Sequence, residues 1–115
     1  MSTLKVGTIQ NASGVEVYTA KAWVNFNGTG TVAIRASGNV SSITDNGTGD
    51  YTVNFTNAMP DANYATVATC GQGGNGMIAY RPTASALTTT QARFNGVTTA
   101  NAFSDMTEFH VAIFR

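Results

Sequence analysis

The sequence predicts an all-β domain, a single antiparallel sandwich or small barrel of about seven strands. Three observations carry this. No segment of ten or more residues sustains apolar positions at i, i+3, i+4 and i+7, whereas period-two alternation recurs along most of the chain. Asn-Gly, whose residues both tolerate positive φ and so favour tight hairpins, occurs at 27–28, 46–47, 75–76 and 95–96. The polar residues are mainly Thr, Asn, Ser and Gly, which suits short strands joined by tight turns.

Taken in order, residues 1–14 end in Asn11-Ala12-Ser13-Gly14 and are expected to form a leading arm or short strand. The β domain is then expected over 15–115, with 66–115 as a variable, receptor-facing half. Tyr18, Ala20, Ala22, Val24 and Phe26 alternate with Thr19, Lys21, Trp23 and Asn25, so Trp23 faces away from Phe26. Val32–Val40 alternates as one strand, and Tyr51–Phe55 as another. Met59-Pro60-Asp61-Ala62 forms a loop, and strands follow at Tyr64–Cys70, Met77–Arg81 and Gln91–Thr98. Phe109–Phe114 (FHVAIF) is apolar at both parities, as expected of a strand covered on both faces, with His110 packed inside it.

Composition narrows the function. The 115 residues include six Lys or Arg and six Asp or Glu, and charged residues make up 10% of the chain. The basic residues are scattered singly, which argues against a nucleic-acid partner. No apolar run approaches the ~20 residues of a membrane-spanning helix, so membrane insertion is not expected. The start, MSTLKVGTIQ, lacks the apolar core of a signal peptide. Cytoplasmic synthesis is therefore expected. A single cysteine, Cys70, precludes an internal disulfide and a cysteine zinc site.

GTGTVA (Gly28–Ala33) satisfies the G-x-G-x-x-G/A fingerprint of a dinucleotide-binding turn. That turn needs a helix N-terminus to meet the pyrophosphate, but the residues that follow alternate as a strand. A hairpin loop, Gly28-Thr29-Gly30, is the better reading, with Gly30 left-handed. Matching the apolar faces sets Phe26 opposite Val32, Val24 opposite Ile34 and Trp23 opposite Arg35. Trp23 and Arg35 then form a pair on the second face. Cover by protein, either another strand, the arm or a neighbouring subunit, is the favoured reading; a glycan platform is the other.

No catalytic or metal-binding set emerges, no cofactor is implied, and an enzyme has the least support. His110 and Cys70 have no partner at a spacing that would activate them. Asp45–Asp50 (DNGTGD) lacks the terminal Glu of a calcium loop and reads as a turn. Glu16, Asp61, Asp105 and Glu108 show no paired spacing. The glycine-rich Gly71–Gly76 and the residues after it are the best displayed segment, with Gln72, Asn75, Tyr80 and Arg81 as candidates to face a receptor.

The run KAWVNFNGTGTVAIRASGNVSSITDNGTGDYTVNFTNAMPDANYA (Lys21–Ala65), with the lead-in LKVGTIQNASG (Leu4–Gly14), resembles a module of tail-fibre and virion surface proteins of tailed bacteriophages, notably marine ones. The resemblance implies a β-structured, non-enzymatic virion protein, commonly a homotrimer, that contributes to host attachment. Other virion proteins and a host-surface glycan or protein would be its partners. Lacking the anchoring region and shaft of a long fibre, the chain is expected to be a short fibre tip, a capsid or tail decoration or knob, or a recombinant C-terminal piece. The alternative is a stand-alone carbohydrate-binding β-sandwich.

Overall fold

Eight strands follow one another in a computed structural model that describes residues 7–82 and 86–115. They are β1 (Ala22–Asn27), β2 (Ala33–Gly38), β3 (Val40–Gly47), β4 (Asp50–Phe55), β5 (Ala65–Gln72), β6 (Asn75–Tyr80), β7 (Gln91–Val97) and β8 (Glu108–Phe114). All pairings are antiparallel, in the order β2-β1-β8-β5-β6-β7-β4-β3. The two outermost strands, β2 and β3, are consecutive in the chain, so the sheet curls round into a nearly closed barrel. The expected all-β antiparallel class is what the chain adopts.

The barrel turns its corner at Asn39, a non-glycine residue at φ 55°. Its Nδ2 donates to the carbonyls of Lys21 (3.0 Å) and Asn57 (3.1 Å), and its Oδ1 accepts from the Asn57 N–H (2.7 Å). Asn tolerates the left-handed region better than most residues, and here its amide ties β2, the approach to β1 and the end of β4 together.

The strand count differs from the expected seven by one. The expected strand Val32–Val40 is β2, ended by the left-handed Asn39, and the eighth strand is β3, which runs on through Ser41–Gly47 where no strand was expected. Two further expectations give way. Asn95-Gly96 lies inside β7 and makes no turn; Asn95 is buried and its amide donates to the Gly49 carbonyl (3.3 Å). β1 begins at Ala22, and residues 7–21 hold only a bridge between Gln10 and Glu16. Residues 1–6 of the expected arm lie outside the described residues.

The core gathers where β1, β4, β7 and β8 face inward. Phe26 and Phe109 stack at 5.2 Å and 11°, and Tyr51 meets both edge-on at 5.2 and 5.6 Å. Such pairs add about 0.5–1.5 kcal/mol each beyond the area they bury. Phe94 and Met106 complete this fully buried group.

Candidate functional site

The inward residues of β8 are Phe109, Val111 and Ile113, all buried; its outward residues are therefore Glu108, His110, Ala112 and Phe114. β8 lies between β1 and β5, and the registers set Trp23 opposite Ala112 opposite Val67, and Asn25 opposite His110 opposite Thr69. Ala112 is the small member of its row. With Trp23 on one side and Val67 on the other it floors an open trough of about 340 Å³, bordered by Asn25, Thr69 and His110. A second depression of about 130 Å³ shares Thr69 and His110 and runs on to Glu108 and the Gly74-Asn75-Gly76 hairpin. The two adjoin along β8 at Thr69 and His110 and together form a groove that is strongly apolar at the Trp23 end and mixed at the Glu108 end.

Trp23 is 43% exposed. Its indole leans over β2, where a Cβ on Gly38 would come within 2.3 Å of Nε1. Gly38 is the residue opposite Trp23, so the missing side chain is what lets the ring lie there.

The expected Trp23–Arg35 pairing does not form. β1 and β2 pair as Phe26 with Ile34 and Asn27 with Ala33, and a bulge between Asn25 and Phe26 leaves Arg35 as the extra residue. The cause lies in the loop. The Gly28 N–H donates to the Met106 carbonyl (2.7 Å), and Asn27 Oδ1 accepts from the Thr29 N–H (3.0 Å), which draws the loop inward and lengthens it. Gly30 is left-handed as expected, at φ 59°. Arg35 instead donates to Asn25 Oδ1 (3.2 Å) and the Thr107 carbonyl (2.6 Å), bracing the neighbouring row of the groove.

The four candidate receptor residues fall in two places. Asn75 lies exposed on the β5–β6 hairpin, whose turn uses Gly73 and Gly74 at positive φ, and lines the Glu108 end of the groove. Gln72 is half-buried: its Nε2 donates to the Asp105 carbonyl (3.1 Å) and its Oε1 accepts from Ser104 (3.4 Å). Tyr80 and Arg81 stand about 16 Å further along β6. There β5 and β6 part company, their pairing being confined to Cys70–Gln72 with Asn75–Met77. The parting leaves a separate cleft with Thr66, Ala68 and Phe94.

His110 was expected inside the strand and is exposed on the groove. Within the single chain FHVAIF is covered on one face, by the core, and its outward parity is left uncovered. The signal was present, because period-two alternation puts His110 with Ala112 and against Phe109, Val111 and Ile113. Cys70 is a small buried side chain, as expected, and burial pushes its thiol up. In the Asp45–Asp50 turn, Asp45 Oδ1 accepts from the Gly47 N–H (3.1 Å). Asp50 takes a two-point ion pair from Arg93 (2.8 and 2.5 Å), which holds its carboxyl below the ordinary range. Asp105 Oδ1 accepts from the Gly49 N–H (2.9 Å) and lies 3.2 Å from the Tyr51 hydroxyl, and Asp61 pairs with Arg115. Among the described residues no group of three His, Cys, Asp or Glu side chains is placed to hold a metal ion.

In comparison with known proteins, no family model matches this sequence, and no curated protein matches it. One solved structure aligns with 99% of the chain at a TM-score of 0.57 and 13% identity. It is the phiAB6 tailspike, crystallised with three-repeated oligosaccharides of Acinetobacter baumannii surface polysaccharide. The likeness is to a phage tailspike. At 13% identity it is a likeness of fold, and the chain spans 30% of that tailspike's length. It loosely fits the resemblance to phage tail-fibre modules carried by Lys21–Ala65. Among the described residues no helix is long and apolar enough to cross a membrane.

Proposed function

We propose that this chain is a virion surface module of a tailed phage, a short fibre tip or a decoration of the particle, that contributes to host attachment without catalysis. The observation that carries the reading is the open outer face of β1, β8 and β5, which presents an aromatic ring beside polar side chains on a rigid sheet. The fold-level likeness to a tailspike supports it, as does the resemblance of Lys21–Ala65 to virion modules. The tailspike was crystallised with a surface oligosaccharide, and a surface glycan of the host is the corresponding partner proposed for this chain.

In this reading the chain assembles as a homotrimer alongside other virion proteins, residues 15–115 form the β domain, and 66–115 faces the receptor. Two measurements test it together: the mass in solution by light scattering, and adsorption of the labelled protein to a panel of bacterial isolates that includes marine strains. A trimer that adsorbs to a few strains is expected. A monomer that adsorbs to none overturns the proposal. The second reading, a stand-alone carbohydrate-binding module, rests on the same exposed ring and calls for a monomer that binds glycan.

A further inference from the structure

We infer that the groove along β8 is the binding site for an uncharged oligosaccharide, with one ring seated over the Ala112 floor between Trp23 and Val67 and the next hydrogen-bonded at Thr69, His110 and Asn75. This deepens the attachment reading and rests on it for the source of the glycan.

The chemistry of the groove suits such a ligand and few others. A pyranose has an apolar face of C–H groups and a rim of hydroxyls. The groove offers the same division: Trp23 and Val67 wall the apolar trough, and side chains that both donate and accept border it. Ala112 to Glu108 spans about 13 Å along β8, room for more than one ring. The groove is also built on strand centres. Trp23, Ala112 and Val67 occupy consecutive strands in register, and Arg35 fixes Asn25 from the side, so little order is lost on binding.

Charge selects among glycans. Among the described residues Glu108 is the one carboxylate lining the two depressions, and it stands at the end by the β5–β6 hairpin. A sugar carboxylate placed beside Glu108 would face a like charge, which favours a neutral hexose or N-acetylhexosamine chain at that end over a uronate-containing one.

A second copy of the chain fits less well. Trp23 and Val67, 43% and 57% exposed, stand as the two rims on which a second copy would rest. The concave trough would leave a flat partner out of contact with its floor.

Trp23 is the only tryptophan, so its emission reports on the groove directly. The full chain is titrated with neutral hexose and N-acetylhexosamine oligosaccharides of several residues, and with uronate-containing chains of matched length. The expected result is a blue shift of the emission and reduced acrylamide quenching with neutral chains alone. Two exposed-face variants, Ala112→Leu and His110→Ala, keep the reporter; each is expected to weaken binding at least tenfold, with unchanged thermal unfolding. Three results overturn the inference: no response to any neutral chain, binding that survives both variants, or emission already blue-shifted and reversed by dilution, which assigns the face to a second copy. Cell adsorption separates the two proposals. Wild-type protein that adsorbs to cells, with Ala112→Leu doing so equally, leaves attachment standing and removes the groove from it; wild-type protein that adsorbs to none removes attachment while the titration still decides the groove.

Discussion

The hydroxyl of Tyr51 donates to the carbonyl of Gly28 at 2.9 Å, joining the centre of the core to the β1–β2 loop. The same oxygen accepts the Met106 N–H (3.3 Å) and lies 3.2 Å from Asp105 Oδ1, so one phenol gathers three separate stretches of chain. Tyr51→Phe leaves the Gly28 carbonyl and the Met106 N–H without this partner at a buried point. The expected loss is about 1–3 kcal/mol, read as a lower urea midpoint with an unchanged slope. Gly28→Ala should cost more, since a Cβ there would meet the Tyr51 oxygen at 2.3 Å. An unchanged midpoint in Tyr51→Phe would show that the hydroxyl is dispensable.

Gly38→Ala should act on the groove and hardly on the fold. Its added methyl meets the Nε1 corner of the indole at 2.3 Å, so the ring must swing off β2. A shift of Trp23 emission in the absence of any ligand is expected, with a change in unfolding midpoint well below that of Gly28→Ala. Superimposable emission spectra for the variant and wild type would contradict this placement of the ring.

Alkaline pH should loosen the barrel before ordinary surface groups account for it. Burial pushes the Tyr64 phenol up to about 12, and burial raises Tyr51 as well. A phenol whose folded value lies above its unfolded value of about 10 contributes stability that is complete below pH 10 and lost as pH rises toward 12. For Tyr64 a displacement of that size corresponds to roughly 3 kcal/mol. Tyr64→Phe should flatten the fall in stability between pH 10 and 12, and Tyr51→Phe should flatten it further. Denaturant midpoints taken across that range check both.

Acid acts at the other end of the scale, on the end of β8. Arg115 pairs with Asp61 at 2.7 and 2.9 Å and, with the Asn63 N–H, holds that carboxyl down to about 2. A depressed carboxylate contributes stability that is present above about pH 4 and lost as pH falls toward 2. The pair is open to solvent, so the expected effect is local. Asp61→Asn should speed amide exchange at Ile113 and Phe114 relative to Phe109, with little change in global unfolding. Equal exchange in both proteins would remove the pair from any role in holding the strand.

Much of this architecture was legible in residue order. Alternation found every strand but β3, and Asn27-Gly28 and Asn46-Gly47 marked real hairpins. What alternation could not show was where the chain changes direction without a glycine. Asn39 looks like any polar strand residue, and its corner is stabilised by carbonyls at positions 21 and 57, remote in sequence. The register of β1 on β2 failed for a similar reason. Matching apolar faces ignores the pull of the 105–106 segment on Gly28, which lengthens the loop and forces a bulge at Arg35. For the candidate site, Trp23 and Asn75 stood out in the sequence, whereas the trough itself did not. A trough needs a small residue between two large ones across strands, and Ala112 meets Trp23 and Val67 only once three distant segments lie side by side.

The place of β8 between β1 and β5 also sets the timetable of folding. On a translating ribosome, the β1–β2 hairpin and β5 emerge long before the strand that joins them, and each waits with an open edge. The β3–β4 hairpin can close locally, but β1 and β5 have no mutual pairing to hold them in place. Assembly is therefore expected to be late and abrupt, triggered when Glu108–Phe114 clears the exit tunnel. Until then the nascent chain carries two unsatisfied strand edges, which makes this stage the one at which neighbouring polypeptides can capture it.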